Sequence, residues 1–298
     1  MTPAIGAAAI AAALLATAAP GHAQKKVDVR HATAPDLYFR MTGSVGTLRV
    51  IGWEKDSLVI TGSLPKGVRM EMGIGEPRGA PARGAKMYLE SPNDAVAAAG
   101  TLEIRVPARA RVWVKSGTAN VDVQGVSGGL DVNVIGGSVR IAASPRELQV
   151  EAMDAGVEIS GTPGWLRAKT ASGDITVRGG SADLALTSVS GAIRVLDGTV
   201  ERGRMETVTG AITFAATAVR GADLVLDSHS GPIDVRLPAG DGFVLQASSV
   251  TGAVKNAFDG ARPIPGREGR GAELAIGRGS ESARIIARSF KGTITVRR

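Results

Sequence analysis

The chain has 298 residues, no cysteine, 3% aromatic residues and 40 glycines, and its formal net charge is +7 at neutral pH. The lack of thiols excludes disulfide cross-links, cysteine nucleophiles and cysteine-ligated metal sites. The charge is uneven: residues 255–298 hold ten Lys or Arg against four Asp or Glu, a net of +6, whereas residues 1–254 hold 25 against 24, a net of +1. The basic character therefore belongs to the C-terminal end.

The first 23 residues, MTPAIGAAAIAAALLATAAPGHA, form an apolar run that ends in small residues just before Lys25 and Lys26. This pattern is typical of a secretory signal peptide that is cut after Ala23. A retained membrane anchor is the alternative, but the apolar core is shorter than the ~20 residues that span a bilayer. We therefore expect an exported chain, periplasmic or extracellular, with no transmembrane segment after cleavage.

Residues 24–115 contain the strand-like pieces GTLRVIGW and SLVITGSL, then a Gly/Pro-rich loop, then TLEIRVPARARVWVK. Their spacing is irregular. Because a stack of repeated coils needs protection at its open end, we interpret this segment as an N-terminal β cap together with the first coils.

From residue 116 onward one phrase recurs, for example as TASGDITV, TSVSGAIRV, TVTGAITF and SHSGPIDV. Its Ser/Thr-Gly pair returns every 18 to 21 residues, and the interval of 40 between the last two glycines counts as two periods. Self-similarity at this spacing indicates a solenoid. The residues assigned to the repeated corner are Gly117, Gly137, Ala155, Gly173, Gly191, Gly210, Gly231, Gly252 and Gly292.

Around each corner glycine the apolar residues alternate with the period of a β-strand, but the phase changes at the glycine. Leu184 and Leu186 lie at odd offsets before Gly191, whereas Ile193 and Val195 lie at even offsets after it. This change predicts a bend at the glycine, and the Ser or Thr three residues earlier is expected to satisfy backbone groups there.

One such unit buries too little apolar surface to offset the backbone entropy of ordering it. Stacked units share a core, so the predicted fold is all-β, a parallel β-solenoid over residues 116–298 with coils of about 18–21 residues. An antiparallel β-sandwich is the alternative, but it does not explain why one turn chemistry recurs at one phase.

Nothing in the sequence predicts catalysis, a cofactor or a metal site. The stretch GVSGG at 125–129 matches the nucleophile-elbow pattern, but it falls between two repeat strands, where the motif's strand-turn-helix setting is missing. After cleavage only His31 and His229 remain, and no clustered set of ligands accompanies them. We expect no enzyme. The alternative is a polysaccharide lyase or hydrolase on a β-helix scaffold, for which Asp183, Asp227 and Asp234 are scattered carboxylates.

Two surfaces are candidate binding sites. Trp113 is predicted to face outward, four residues before Gly117 and between Arg111 and Lys115, where it would meet a glycan or a lipid headgroup unless the cap covers it. The basic loop at about 257–272 interrupts a coil; the arginines in and after it are Arg262, Arg267, Arg270 and Arg278. The expected partner is an anionic envelope polymer or a cell-surface glycan. Nucleic acid is not expected, because no recognition motif or interleaved aromatic residues accompany the charge.

The stretch GTLRVIGWEKDSLVITGSL, with Gly52-Trp53 followed by Asp56, resembles the N-terminal signature of a bacterial family of exported candidate adhesins with β-strand repeats, a domain of unknown function. The SGxIxV repeats and the final ARSFKGTITV are similar to that family's pattern too, so the resemblance covers most of residues 24–298. It implies an envelope or extracellular β-repeat protein without established catalysis. A periplasmic partner of an envelope signalling protein is a further alternative.

Overall fold

The computed structural model describes residues 24–75, 80–237, 242–266, 269–278 and 282–298, and the predicted signal peptide lies outside them. The described residues form 21 β-strands and one four-residue helix. Most strands pair in parallel with the strand one coil away, so the predicted parallel β-solenoid is confirmed.

Each coil of the solenoid has two strand segments, which we call the first and second arms, joined by a first corner at the repeated glycine and by a second corner. The arms belong to the following strands in chain order: β7 (Arg111–Gln124), β8 (Gly129–Ala142), β9 (Glu147–Ala152), β10 (Gly156–Ser160), β11 (Trp165–Thr170), β12 (Ile175–Ser188), β13 (Ile193–Thr207), β14 (Ile212–Ser228), β15 (Ile233–Arg236), β16 (Phe243–Ser249), β17 (Val254–Asn256), β18 (Ile264–Pro265), β19 (Ala272–Arg278), β20 (Ala283–Ser289) and β21 (Ile294–Arg297). The strands β18 and β19 are the exception, because they form no coil of their own.

The core lies between the two arms, where the inward residues of every coil meet. Leu184, Leu186, Ile193 and Val195 are at most 1% exposed, as the period-two alternation predicts. A fully buried side chain of this size contributes about 1.5–3 kcal/mol. Because inward residues of neighbouring coils also contact each other, the core is one continuous cluster along the stack.

The first corner is tight because successive coils approach each other through their backbones there. A Cβ at Gly191 would lie 2.0 Å from the carbonyl oxygen of Gly173, and one at Gly210 would lie 2.0 Å from the carbonyl oxygen of Gly191. Distances this short leave room for no side chain. Glycine is therefore required at Gly191 and Gly210 by close approach of the preceding coil.

A buried column of Ser and Thr lies three residues before the corner and satisfies its backbone. The Thr170 hydroxyl donates to the carbonyl of Gly173 at 2.6 Å, and the Thr207 hydroxyl donates to that of Gly210 at 2.8 Å. At the C-terminal end the Gly292 amide donates to the Ser289 hydroxyl oxygen at 2.7 Å. These bonds are the corner hydrogen bonds expected from the sequence.

The register places one assigned corner residue elsewhere. Gly137 pairs with Ala119, and Gly117 lies two residues earlier in the strand, so Ala119 occupies the corner column and the assignment of Gly117 is wrong. A shift of two residues leaves every side chain on the same face of a strand, so alternation alone does not distinguish the two positions. The correction also moves Trp113 from four to six residues before the corner, and it still faces outward.

The second corner carries positive backbone φ angles that the sequence analysis did not assign. Gly161, Gly179 and Gly198 have φ angles of +143°, +109° and +68°, and a Cβ on Gly179 would lie 2.3 Å from the carbonyl oxygen of Gly161. Glycine is the residue that adopts such angles without strain. Both corners of the middle coils therefore depend on glycine columns.

The N-terminal residues close one end of the stack with mixed strand directions. Their elements are β1 (Gln24–Thr42), β2 (Thr47–Trp53), β3 (Ser57–Pro65), β4 (Arg69–Gly75), β5 (Ala82–Glu90), α1 (Asp94–Ala97) and β6 (Thr101–Pro107). The second half of β1 pairs in parallel with the first arm of β7, whereas β3 pairs antiparallel with both β1 and β6. Trp53 anchors the turn after β2, because its indole N–H donates to the Ser57 carbonyl at 2.9 Å. The strand β7 crosses the predicted boundary between residues 115 and 116.

The C-terminal coils do not stack in chain order. The strands β20 and β21, which come last, pair with β14 and β15 on one side and with β16 and β17 on the other. The corner of Gly292 therefore lies between those of Gly231 and Gly252. The described residues of the 40-residue interval form no additional coil. The strand β19 pairs antiparallel with β16, and β18 pairs with β19, so the described part of the predicted basic loop lies at the end of the stack.

Candidate functional site

A groove on the outer face of the first arms collects three of the chain's few aromatic side chains. It encloses about 190 Å³. We call it the aromatic groove; its outward lining is Tyr38, Arg111, Trp113, Asp131, Glu147, Gln149 and Trp165. Tyr38 is 44% exposed.

Parallel register explains why these residues meet. Tyr38, Arg111, Gly129, Glu147 and Trp165 occupy one column on successive strands. The adjacent column, two residues further along each strand, reads Arg40, Trp113, Asp131, Gln149 and Arg167. Because Gly129 has no side chain, a gap opens between the arginine and the glutamate of the first column, and this gap forms the floor of the groove.

Trp113 is half-buried, so the cap covers part of its outward face; its contact with a glycan or a lipid headgroup stays a prediction. The guanidinium of Arg40, from the cap strand β1, lies 4.0 Å from the centre of its ring. A cation at this distance is held by the ring and also fixes the ring's orientation. Arg111 lines the groove beside Trp113, whereas Lys115 lies two residues further on and lines a separate groove near the first corner.

Trp165 is the residue that the sequence analysis missed. It stands three coils away from Trp113 along the stack, with the guanidinium of Arg167 5.2 Å from its ring centre. In the corrected register the two tryptophans differ by only two positions along their strands. The sequence therefore predicts that Trp113 and Trp165 lie on the same face when Ala119, and not Gly117, is taken as the corner.

Asp131 supplies a carboxyl group to the groove in an unusual environment. Burial raises the pKa of this carboxyl, the charge of Glu151 raises it further, and a hydrogen bond from the Asn133 amide opposes the shift. The Asn133 to Asp131 distance is 2.5 Å. Together with Glu147 and Gln149, Asp131 gives the groove hydrogen-bonding groups next to flat aromatic faces.

The basic C-terminal candidates do not form one site in the described residues. Arg262 and Arg270 are exposed at the end of the stack, on either side of β18. Arg267 lies outside the described residues, and of Arg278 only the backbone, at the end of β19, is described.

The remaining sequence motifs have structural positions. The hydroxyl of Ser127, in GVSGG, donates to the carbonyl of Ala108 at 3.0 Å in the turn between β7 and β8, and a strand follows it. His229 lies at the first corner and stacks on Phe290, with ring centres 5.2 Å apart. Across the described part of the chain, no helix has the length and apolar character needed to cross a membrane.

The fold and the groove together define an all-β repeat protein, a two-armed parallel solenoid with a capped end and a polar-aromatic groove on one face. A family model described as Toastrack DUF4097 matches residues 23–297, and the chain belongs to that family. This agrees with the resemblance found in the sequence.

Two crystal structures are similar over nearly the whole chain at low identity. A candidate cell adhesion protein from Clostridium sporogenes ATCC 15579 is 11% identical, with a TM-score of 0.24, over 92% of this chain and 98% of that one. A candidate adhesin from Bacteroides fragilis NCTC 9343 is 13% identical, with a TM-score of 0.37, over 93% of this chain and 98% of that one. No curated protein matches the chain.

Proposed function

We propose that the chain is a non-enzymatic, exported β-repeat protein that binds carbohydrate at a cell surface or in the cell envelope through the aromatic groove. The observation that carries this proposal is the convergence of Tyr38, Trp113 and Trp165 with Asp131 and Glu147 in one groove. The apolar run of residues 1–23 supports export.

Flat aromatic faces beside fixed hydrogen-bonding groups suit a sugar. The rings offer apolar surface to the C–H face of a pyranose, and the carboxylates and the Gln149 amide accept or donate hydrogen bonds to its hydroxyls. Arg111 adds a positive charge at the rim, which favours an acidic sugar or a substituted one.

The test measures binding of residues 24–298 to an array of neutral and acidic oligosaccharides, followed by titration of the best one. Because two of the chain's three tryptophans line the groove, quenching of intrinsic fluorescence reports occupancy directly. We expect Tyr38→Ala and Trp165→Ala each to weaken binding by about tenfold or more, which corresponds to ~1.4 kcal/mol.

Tyr88→Ala is the matched control, because Tyr88 is 46% exposed and does not line the groove. Equal losses in Tyr38→Ala and Tyr88→Ala, or an array without any binder, would reject the carbohydrate proposal. Binding that is abolished by salt and by neutralising Arg262 and Arg270 would instead favour an anionic envelope polymer at the basic end.

A carbohydrate-active enzyme is the second candidate, and one observation favours it. Asp131, with its raised pKa, shares the groove with Glu147, and a glycosidase needs one protonated and one ionised carboxyl group. Asp131→Asn distinguishes the two functions, because a binding site keeps a hydrogen-bonding amide there, whereas a general acid is lost. Hydrolysis of a bound oligosaccharide that disappears in Asp131→Asn would establish the enzyme.

A further inference from the structure

The first corner exposes a row of apolar side chains along the stack. It lies two residues before the corner position in each coil. Backbone hydrogen bonds join Met153, Ala171, Val189 and Val208 in succession, and bonds of adjacent residues link the other members. We call this row the corner ridge; in spatial order it is Ile135, Met153, Ala171, Val189, Val208, His229, Phe290 and Val250. The large apolar members are 43% to 55% exposed. Seven steps of ~4.8 Å make the ridge about 34 Å long.

A continuous exposed row of this kind is unusual on a protein that acts alone. Single exposed apolar residues are common, but a contiguous apolar patch indicates an interaction surface. A standard interface buries about 800 Å² per partner, which over ~34 Å requires a strip about 24 Å wide. The charged residues on both sides of the ridge therefore have to take part in any stable contact.

The charges beside the ridge are arranged unevenly along the stack. On the side of the first arm, Glu151 and Lys169 flank Met153 and Ala171, whereas Asp227 and Arg288 flank His229 and Phe290. On the other side, Asp154 lies next to Met153 and Lys291 lies next to Phe290. Each end of the ridge thus carries charges opposite to those at equivalent positions of the other end.

We propose that two copies of this chain associate antiparallel through the corner ridge. A two-fold axis perpendicular to the ridge, between Val189 and Val208, sets the arm side of one copy against the arm side of the other. The apolar partners across the interface are then Val189 with Val208, Met153 with Phe290, Ala171 with His229, and Ile135 with Val250. Ala171 is the small residue that faces the imidazole ring.

In this register every charge pair across the interface is attractive. Lys169 meets Asp227, Glu151 meets Arg288, and Asp154 meets Lys291, and the symmetry makes each contact twice. Among the described residues, Lys169 and Arg288 have no ion pair within their own chain, whereas Asp227 lies 3.9 Å from Arg204 and Glu151 accepts from Gln149 at 3.3 Å. Within the described part of one chain Lys169 faces Glu151 and Arg288 faces Asp227 on the adjacent strand without a salt bridge, so the interface adds a second carboxylate to each cation.

Neighbouring registers are electrostatically worse, so the charges also favour this alignment. Sliding one copy by one coil in one direction sets Glu151 against Asp227, which offsets the attraction that Lys169 then gains to Glu206. Sliding it in the other direction sets Lys169 against Arg288 and brings Glu206 opposite its own symmetry mate. Like charges facing each other cost free energy, and such pairs are how interfaces reject a wrong register.

The first test is sedimentation equilibrium of residues 24–298 across the micromolar range. The chain should dimerise, and Lys169→Glu should raise the dimer dissociation constant by about tenfold, since two attractive contacts become repulsive. The double variant Lys169→Glu with Asp227→Lys should restore dimerisation. Lys255→Glu, an exposed lysine on a second arm, is the control and should have no effect.

The second test exploits the absence of cysteine from the chain. An oxidised mixture of Met153→Cys and Phe290→Cys should form a disulfide-linked dimer, because the two positions face each other. Met153→Cys alone should not, since its symmetry mate lies five coils, about 24 Å, away. A monomer at all concentrations, no rescue by the charge swap, or cross-linking of Met153→Cys with itself would each overturn the proposal.

Discussion

The middle and the C-terminal end of the solenoid use the same coil but follow different orders. From β7 to β14 each coil lies next to the one that follows it in the sequence, whereas β20 and β21 enter between coils that precede them. The inward apolar pattern is the same in both regions. The repeat therefore defines the shape of a coil, and something else decides which coils are neighbours.

Charge on the outward positions separates the two orders. In the observed stack Asp223 faces Arg284 and Asp227 faces Arg288, and the guanidinium of Arg297 donates to the carboxylate of Asp234. Docking β16 and β17 in chain order would place Val244 and Ser248 opposite Asp223 and Asp227, and would leave one attractive pair, Lys255 opposite Asp234. Opposite charges on adjacent strands stabilise a pairing and like charges destabilise it, so these rungs favour insertion of the last coil.

The largest effect is expected from removing that inserted coil. A chain that ends at residue 282 lacks β20 and β21, the strands that connect β16 and β17 to the rest of the stack. Residues 242–278 should therefore become sensitive to limited proteolysis. A chain that ends at residue 237 should stay resistant, because every coil it keeps has its neighbours up to β15. Protection of residues 242–256 in the chain ending at 282 would mean that chain-order docking is equally available.

A smaller but still large effect is expected at the corner glycines of the middle. Gly191→Ala puts a Cβ 2.0 Å from the Gly173 carbonyl oxygen, which forces two coils apart and should destabilise the fold by about 2–4 kcal/mol. Gly156→Ala is the control, since a Cβ there meets nothing within 4 Å and should change stability by less than about 0.5 kcal/mol. Chemical denaturation measures both. Equal stabilities of the two variants would contradict this, because they would show that neighbouring coils can move apart at the corner without loss of stability.

The smallest change in stability is expected from substitutions in the buried Ser/Thr column, where two members differ in their hydrogen bonds. Thr207 donates to the Gly210 carbonyl and lies 3.2 Å from the Ser228 hydroxyl oxygen, whereas the Ser116 hydroxyl is buried without a partner among the described residues. Thr207→Val should cost about 1–2 kcal/mol because it leaves a buried carbonyl unsatisfied. Ser116→Ala should be neutral or stabilising. Thermal unfolding at one pH tests this, and a larger loss in Ser116→Ala would contradict it.

The sequence predicted the coil well, because two signals agreed on it. The alternation around Gly191 places Leu186 and Ile193 in the core, and the Ser/Thr-Gly pair places the bend between them. Strand alternation does not change when the register shifts by two residues, however, so Gly117 was taken as the corner in place of Ala119. That shift separated Trp113 from Trp165 by four positions in place of two, and so hid the aromatic groove.

The order of the last coils and the contact of Arg40 with Trp113 could not be predicted from the pattern within one repeat. The order of the last coils depends on which outward charges meet, such as Asp227 with Arg288, and this is decided by comparing whole arrangements. The cover that Arg40 gives to Trp113 depends on the cap strand running beside β7, and the irregular spacing of residues 24–115 did not predict that pairing.

The inserted coil also has a consequence for how fast the two regions fold. The middle can grow by adding the next segment of chain to an existing edge, a local step with a short loop to close. The C-terminal end requires β20 to reach β14 while the residues from β16 to β19 loop out, and closing that larger loop is slower. During refolding, the edge of β14 has to stay vacant while nearer segments of similar pattern compete for it, so the final kinetic phase belongs to the entry of residues 283–297.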